Sequence, residues 1–412
     1  MPEFLRLVPP KEALARWLRA FPAEPTVGRE LVPTTEALDR VLAEPITAPQ
    51  PLPSFARANV DGYAVRAEDT YGASASLPAY LKLKGEVPMG EVAVGNVDRG
   101  QAYLVHTGGM VPQGADAVVM LEDTQAVRQH EVEIHRPAAP GQNVIAAGED
   151  VVPGERILEA GIRLRPQEIG GLLALGITRV SVYERPKVSI LSTGDEVVPA
   201  ETDPSPGQVR DINSHTLAAL VRRAGGDPLL GGILPDHFET LEKAVRAAHA
   251  SSHIVVVTAG SSASARDMTA RVLSLLGEPG VLIHGLSIKP GKPTILGVAG
   301  RVPLVGLPGN PVSALVIAGL TIVPAIARVG GAKAAVPAGR VRARLTGNVP
   351  SEAGRDDYIP VRLEASPEGW LAEPVFGKSN LIFTLVRADG MVHIPPDVTG
   401  LAAGESVDVE PF

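Results

Sequence analysis

Residues 254–267 read IVVVTAGSSASARD. Four adjacent branched aliphatics bounded by small residues suit a strand buried on both faces. The chain then enters a run of tiny residues and leaves it at Arg266 and Asp267. The same alternation extends in both directions. KVSILST (187–193), LLGGILP (229–235) and PLVGLPG (303–309) read as strands. NSHTLAALVRRAGG (213–226), HFETLEKAVRAAHA (237–250), DMTARVLSLLG (267–277) and the segment 310–329 read as helices between and after them. Strands alternating with helices of this length require crossover connections, and so a parallel sheet covered on both faces.

The flanking sequence changes period. Residues 11–21 and 34–43 read as helices, the second capped by Thr34 or Thr35. Residues 45–65 are too rich in proline for either regular structure and read as a crossing between domains. From 80 to 135 short alternating runs separated by glycine and proline indicate a small all-β unit. RLRPQEIGGLLALGI (163–177) restores a helix with Pro166 in its first turn. Beyond Pro337 the chain returns to short strands. The expected division is a discontinuous helical linker domain (1–50 with 146–182) and an inserted β domain (51–145). A central α/β domain (183–335) and a C-terminal β domain (336–412) follow. A chain of 412 residues exceeds one ordinary core, which agrees.

Composition sets the outer limits. A net charge of −8 argues against a general nucleic-acid or anionic-membrane binder. The absence of cysteine excludes disulfides, thiolate metal sites and a catalytic thiol. The first residues lack the apolar block of a signal peptide, and no apolar run is expected to reach the ~20 residues of a membrane span. A cytoplasmic protein is expected.

In an open parallel sheet, ligands bind at the carboxyl ends of the strands, where helix N-termini present free N–H groups. Asp195 and Glu196 follow the first strand, Asp236 the second, TAGSSASARD the third, and Pro308, Gly309, Asn310 and Pro311 the last. Each has a plainer reading: a turn or cap for Ser192–Asp195, an N-cap for Asp236, a helix-opening proline for Pro311. Lys289 and Lys292 would ordinarily be solvated tips of a turn. Taken together, small residues, carboxylates and lysines at one sheet end describe a pocket for a nucleotide or phosphate ester, with magnesium held through oxygens and waters. Neither a GxxxxGK[ST] loop nor a GxGxxG fingerprint is present, which removes support for a P-loop enzyme or a dinucleotide dehydrogenase.

The motifs NVDGYAV (59–65), HTGGMVPQGADAVVMLED (106–123), GEDV (148–151), LSTGDEVV (191–198), VRDINSHTLAALVRRAGG (209–226), IKPGKP (288–293), VGLPGNPVSAL (305–315), GRDDYIPVRL (354–363) and GKSNLIFTLVRADGMVHIP (377–395) occur in this order. With them the chain resembles, over nearly its whole length, the molybdopterin molybdenumtransferase family, which includes the gephyrin E domain. The resemblance implies a central molybdopterin-binding-like α/β domain, an inserted β domain, a linker domain and a C-terminal β-barrel. It also implies a homodimer whose active site is shared, a C-terminal domain of the partner completing it, and contact with other proteins of molybdenum cofactor biosynthesis. The implied reaction is magnesium-dependent: adenylylated molybdopterin and molybdate give molybdenum cofactor and AMP.

By resemblance, Glu196, Asp236 and Asp267 position magnesium or nucleotide, with Asp61 and Asp150 as acidic groups from other domains. Lys289, Lys292, Arg355 and Ser379 resemble a molybdate subsite; Pro308, Gly309, Asn310 and Pro311 shape the pterin pocket; Thr107 lies near the site. Gly260, Ser261 and Ser262 belong to a loop that usually reads TSGGxSxGxxD and wraps a phosphate. Here serine and alanine replace most of its glycines, and either their hydroxyls with Arg266 replace the backbone donors or the pocket is lost. Pro88-Met89, Ile145 and Asn380 also depart from the usual pattern. The alternatives to a molybdate-inserting enzyme are a non-catalytic carrier of molybdopterin intermediates and a related phosphohydrolase.

Overall fold

The structure is a computed structural model and describes residues 7–128, 130–259, 263–333 and 339–412. Strands of the central domain are β1 (Lys187–Thr193), β2 (Asp227–Leu234), β3 (Ile254–Ala259), β4 (Pro279–His284), β5 (Ile295–Ala299) and β6 (Val302–Pro308). Its helices are α1 (Asn213–Ala224), α2 (Phe238–Ser251), α3 (Ala263–Ser274) and α4 (Pro311–Val329).

The sheet order is β2-β1-β3-β6-β5-β4. β2, β1, β3 and β6 are parallel, as the alternation requires, and β5 and β4 extend the sheet antiparallel. Alternation along β3 explains its four aliphatics. Ile254 and Val256 pack in a core with α1 and α4, while Val255 and Val257 pack with α2 and α3. All four are fully buried, so neither face of this strand sees water.

α4 corrects one expectation. It spans 19 residues and is apolar enough by length and composition to cross a membrane. Its Ile317, Ala318, Ile322 and Ile326 instead sit in the central core, opposite the sheet. The helix Pro10–Arg19, grouped by sequence with the linker segments, lays Ala13 and Trp17 on the same core, and the Trp17 indole N–H donates to Gly297 O at 2.7 Å.

Residues 34–43 are not a helix. Only Thr34–Glu36 form a 3₁₀ turn. Thereafter Leu42 N donates to Ile162 O, and Leu164 N to Arg40 O, so the backbone groups that would close helical turns pair with a distant segment. Arg29–Pro33 likewise pairs with Arg179–Tyr183, and Leu42, Leu164, Leu172 and Val182 share one small core. The inserted unit carries a six-stranded sheet that includes Gly62–Val65 and Gln101–Val105.

At the C-terminus, Asp356–Ser366, Gly369–Pro374, Val341–Leu345, Ser406–Pro411 and Gly390–Ile394 pair in that order, and the last pairs back to the first, closing a five-stranded barrel. Ile288–Lys289 adds to it beside the start of Asp356–Ser366, which joins the barrel to the central domain.

Candidate active site

The carboxyl ends of β1, β3 and β6 open into a small cleft lined by Ser192, Thr193, Glu196, Asn213, Thr258 and Gly309 among others. Each arrives by a different route. Ser192 and Thr193 are the last residues of β1 and are almost wholly buried. At Gly194, φ is +145° and a Cβ would lie 2.9 Å from a Glu196 oxygen; glycine therefore lets the chain fold back and present Glu196. Val197–Val198 then pairs with Val209–Arg210, which brings Arg210 and Asp211 to the cleft as α1 begins.

Asp236 stands nearby, and its backbone N–H donates to Asp195 Oδ1 at 3.1 Å. It is not an N-cap: α2 is preceded by His237 and has no side-chain cap. Burial pushes the Asp236 carboxyl above the usual carboxylate range; the Thr193 hydroxyl opposes this, and the charges of Asp195 and Glu196 add to it. The Thr193 hydroxyl is near without completing a hydrogen bond, because both its Oγ1 and Asp236 Oδ1 are buried without a partner. Asn213 Oδ1 is a third such atom.

Polar bonds carry the cleft onward to Ser379. Asn213 Nδ2 donates to Gly309 O at 2.8 Å, and Asn310 Nδ2 donates to Ser379 Oγ at 3.0 Å. Pro311 opens α4, as a helix-opening proline should, but the Asn310 side chain does not cap it. Ser379 O also accepts from Val312 N at 3.1 Å. Ser379 belongs to the C-terminal region of the same chain, between the barrel strands Gly369–Pro374 and Gly390–Ile394.

Pairing of Ile288–Lys289 with the barrel sets Lys289 level with Asp357. Asp357 is fully buried, and Arg355 binds it through Nε at 2.8 Å and a second nitrogen at 3.3 Å, while also reaching Glu352 at 2.7 Å. Lys289 and Lys292 are exposed. Between them Gly291 has φ +112°, and a Cβ there would fall 2.3 Å from Ile317 on α4, so only glycine lets the turn lie this close.

The remaining candidates lie elsewhere in the chain. Asp61 accepts from the Thr107 N–H at 2.8 Å and hydroxyl at 3.3 Å, on the inserted unit, where His106 bonds Glu86 at 2.7 Å. Asp150 is exposed beside the bridge of Leu52 with Val151. Asp267 is exposed in the first turns of α3. Among the described residues no three carboxylate or imidazole groups converge as a metal site. Gly260, Ser261 and Ser262 lie outside the described residues. Sequence reasoning gave no role to Ser192, Thr193, Arg210, Asp211 or Asn213. The Asp211/Ser214 spacing at a helix start, a capping signal, could have drawn attention to the last two.

Comparison with known proteins agrees with this architecture. Residues 8–176 match the MoeA N-terminal region (domain I and II), 189–328 a probable molybdopterin binding domain, and 342–412 the MoeA C-terminal region (domain IV). A molybdopterin molybdenumtransferase of Haemophilus influenzae is 33% identical over 379 residues, covering 92% of each chain. One from Nostoc sp. is 32% identical over 384 residues, covering 92% of this chain and 87% of its own. The crystal structure of a molybdopterin biosynthesis moeA protein from Pyrococcus horikoshii OT3 superposes with a TM-score of 0.85 at 35% identity, over 99% of this chain and 100% of that one. The chain belongs to the MoeA family of molybdopterin molybdenumtransferases.

Proposed function

We propose that this chain inserts molybdate into adenylylated molybdopterin and releases AMP, with magnesium, as a cytoplasmic homodimer. The supporting observation is the bonded path from Asn213 through Gly309 and Asn310 to Ser379, which joins the cleft of the central sheet to the C-terminal segment that carries Ser379. Molybdate is a dianion and calls for cationic, hydrogen-bonding ligands. Arg355 is held in orientation by Asp357, and the exposed lysines supply positive charge. Ser379 and Asn310 offer neutral polar groups. The pterin nucleotide would lie in the cleft, along Gly309 and Asn213.

The residues fit a magnesium ion that keeps waters and takes substrate oxygens, as this metal commonly does. Asp236 Oδ1 is buried without a partner beside Asp195 and Glu196, a charge arrangement that a cation relieves. Glu196 and Asp236 would hold the ion. The ion supplies stabilisation of the charge that develops on phosphate oxygens as the phosphoanhydride breaks. Asp61 and Thr107 form a bonded pair on the inserted unit, and Asp61 and Asp150 would lend acidic groups to the site from the other domains.

The test is incubation of the full chain with adenylylated molybdopterin, molybdate and magnesium. AMP release that depends on molybdate is expected. Tight pterin binding without AMP would make the chain a carrier, and equal release of AMP from unrelated dinucleotides would make it a phosphohydrolase.

A further inference from the structure

The floor of the cleft holds a continuous chain of buried hydrogen bonds. Ser214 N and Oγ both donate to the Asp211 carboxylate, at 3.1 and 2.5 Å. The Ser192 and Ser214 hydroxyls are 2.8 Å apart, and Thr258 Oγ1 donates to Ser192 Oγ at 3.2 Å. Asp211, Ser214, Ser192 and Thr258 are all less than 8% exposed.

The direction of the chain follows from valence. An ionised carboxylate only accepts, and each hydroxyl has one hydrogen. Ser214 commits its hydrogen to Asp211, so Ser192 must donate to Ser214, and Thr258 to Ser192. Every hydroxyl hydrogen therefore points toward Asp211. Thr258, which lines the cleft, can offer a ligand only an acceptor there. Asn213 has the same polarity: Gly309 O fixes its amide nitrogen, leaving Oδ1 as the end that is buried without a partner. Thr193 Oγ1, also lining the cleft and 3% exposed, is buried without a partner as well.

We propose that Asp211 is a positioning residue which, through Ser214 and Ser192, fixes Thr258 as an acceptor, so that this part of the cleft selects the amino-bearing, hydrogen-donating edge of the pterin ring. The inference rests on the reading that a pterin nucleotide occupies the cleft. It assigns the ring's donor edge to Thr258 and Asn213 and keeps phosphate oxygens, which are acceptors, away from them.

Asp211→Asn tests the polarity directly. The asparagine can still accept from Ser214 N, but its Nδ2 donates toward Ser214 Oγ, and the three hydroxyls reverse to leave Thr258 a donor. The probes are pterin and lumazine, fluorescent rings that differ in carrying an amino donor or a carbonyl acceptor at position 2. Binding of each to the full chain is followed by fluorescence titration. Wild type should prefer pterin by about tenfold, the scale of one well-made buried hydrogen bond. Asp211→Asn should lower the preference to none or invert it. Thr258→Val should abolish the preference and Thr258→Ser keep it, a pair that decides the matter should Asp211→Asn fail to fold. An unchanged preference in folded Asp211→Asn or in Thr258→Val overturns the proposal, as does a wild type that binds neither ring or favours lumazine. AMP release in a chain without the preference would sink this inference alone; the preference without molybdate-dependent AMP release would sink the proposed reaction instead.

Discussion

In the cleft, Ser192, Thr193, Asp211 and Thr258 are more than nine-tenths buried and are joined by hydrogen bonds or left with unpartnered atoms. At the junction with the barrel, Lys289 and Lys292 stand in solvent, and the half-buried Arg355 is already paired with Asp357 and Glu352. The two regions thus hold their polar groups differently, one buried and the other largely in solvent. Buried polar groups are costly unless bonded, so changes in the cleft should move stability and turnover together. Exposed lysines cost the fold little, and their removal should register only in binding.

The largest effect is expected at Asp236. Asp236→Asn should lower molybdate-dependent AMP release by about 100-fold, the scale of losing a charge that positions a catalytic cation. The same variant should melt at a higher temperature at pH 8 than wild type. The folded-state pKa of Asp236 is raised, so its ionised form disfavours folding at high pH, and that cost disappears as pH falls through the raised pKa toward the ordinary carboxylate value. The gain in melting temperature should shrink accordingly. Full turnover, or a lower melting temperature at pH 8, would show that the cleft does not store charge for a cation.

At the junction, Lys292 and Arg355 should separate. Lys292→Ala should raise the KM for molybdate by about tenfold and leave the melting temperature unchanged, because its ammonium is exposed. Arg355→Lys should raise that KM to a similar degree and also destabilise the fold by about 1–3 kcal/mol. A lysine cannot reproduce the paired donors, and Asp357 is 0% exposed. Steady-state kinetics beside thermal melts would check both. A stability loss at Lys292 equal to that at Arg355 would erase the distinction between buried and solvated groups.

The same contrast divides what the amino-acid sequence makes legible from what it conceals. The parallel core is legible because IVVV at 254–257 admits few other readings, and strand ends then locate Glu196 and Asp236 by rule. The motif 288–293 points to the lysines. Three features are concealed. Residues 34–43 have helical composition, but Leu42 and Arg40 give their backbone bonds to Ile162 and Leu164, a preference set by tertiary pairing. The antiparallel β4–β5 extension hides in a segment whose turns, at Gly285 and Gly291, obscure its strands. The hydroxyl chain from Asp211 to Thr258 joins residues up to 66 positions apart, and no spacing rule reaches across three strand and helix ends.

The smallest effect tests the other end of the same sheet. His253 immediately precedes β3, opposite the cleft, and its Nδ1 accepts from Lys187 N at 3.0 Å. Burial, then the nearby Lys187 charge, holds the imidazole below its ordinary pKa of 6.5, against a weaker pull from Glu184. The unfolded chain therefore takes up this proton more readily than the folded one. Stability from the neutral ring is complete above pH 6.5 and is lost as pH falls through 6.5 toward the depressed folded value. The melting temperature of wild type should drop by a few degrees more between pH 7.5 and 5.5 than that of His253→Gln, which has no ring to protonate. Pterin affinity should follow the same course in both proteins, since the cleft lies at the far ends of β1 and β3. A difference in affinity that tracks the His253 titration would mean that the two ends of the sheet are coupled, and that buried polarity near the cleft is not a local property of the strand ends.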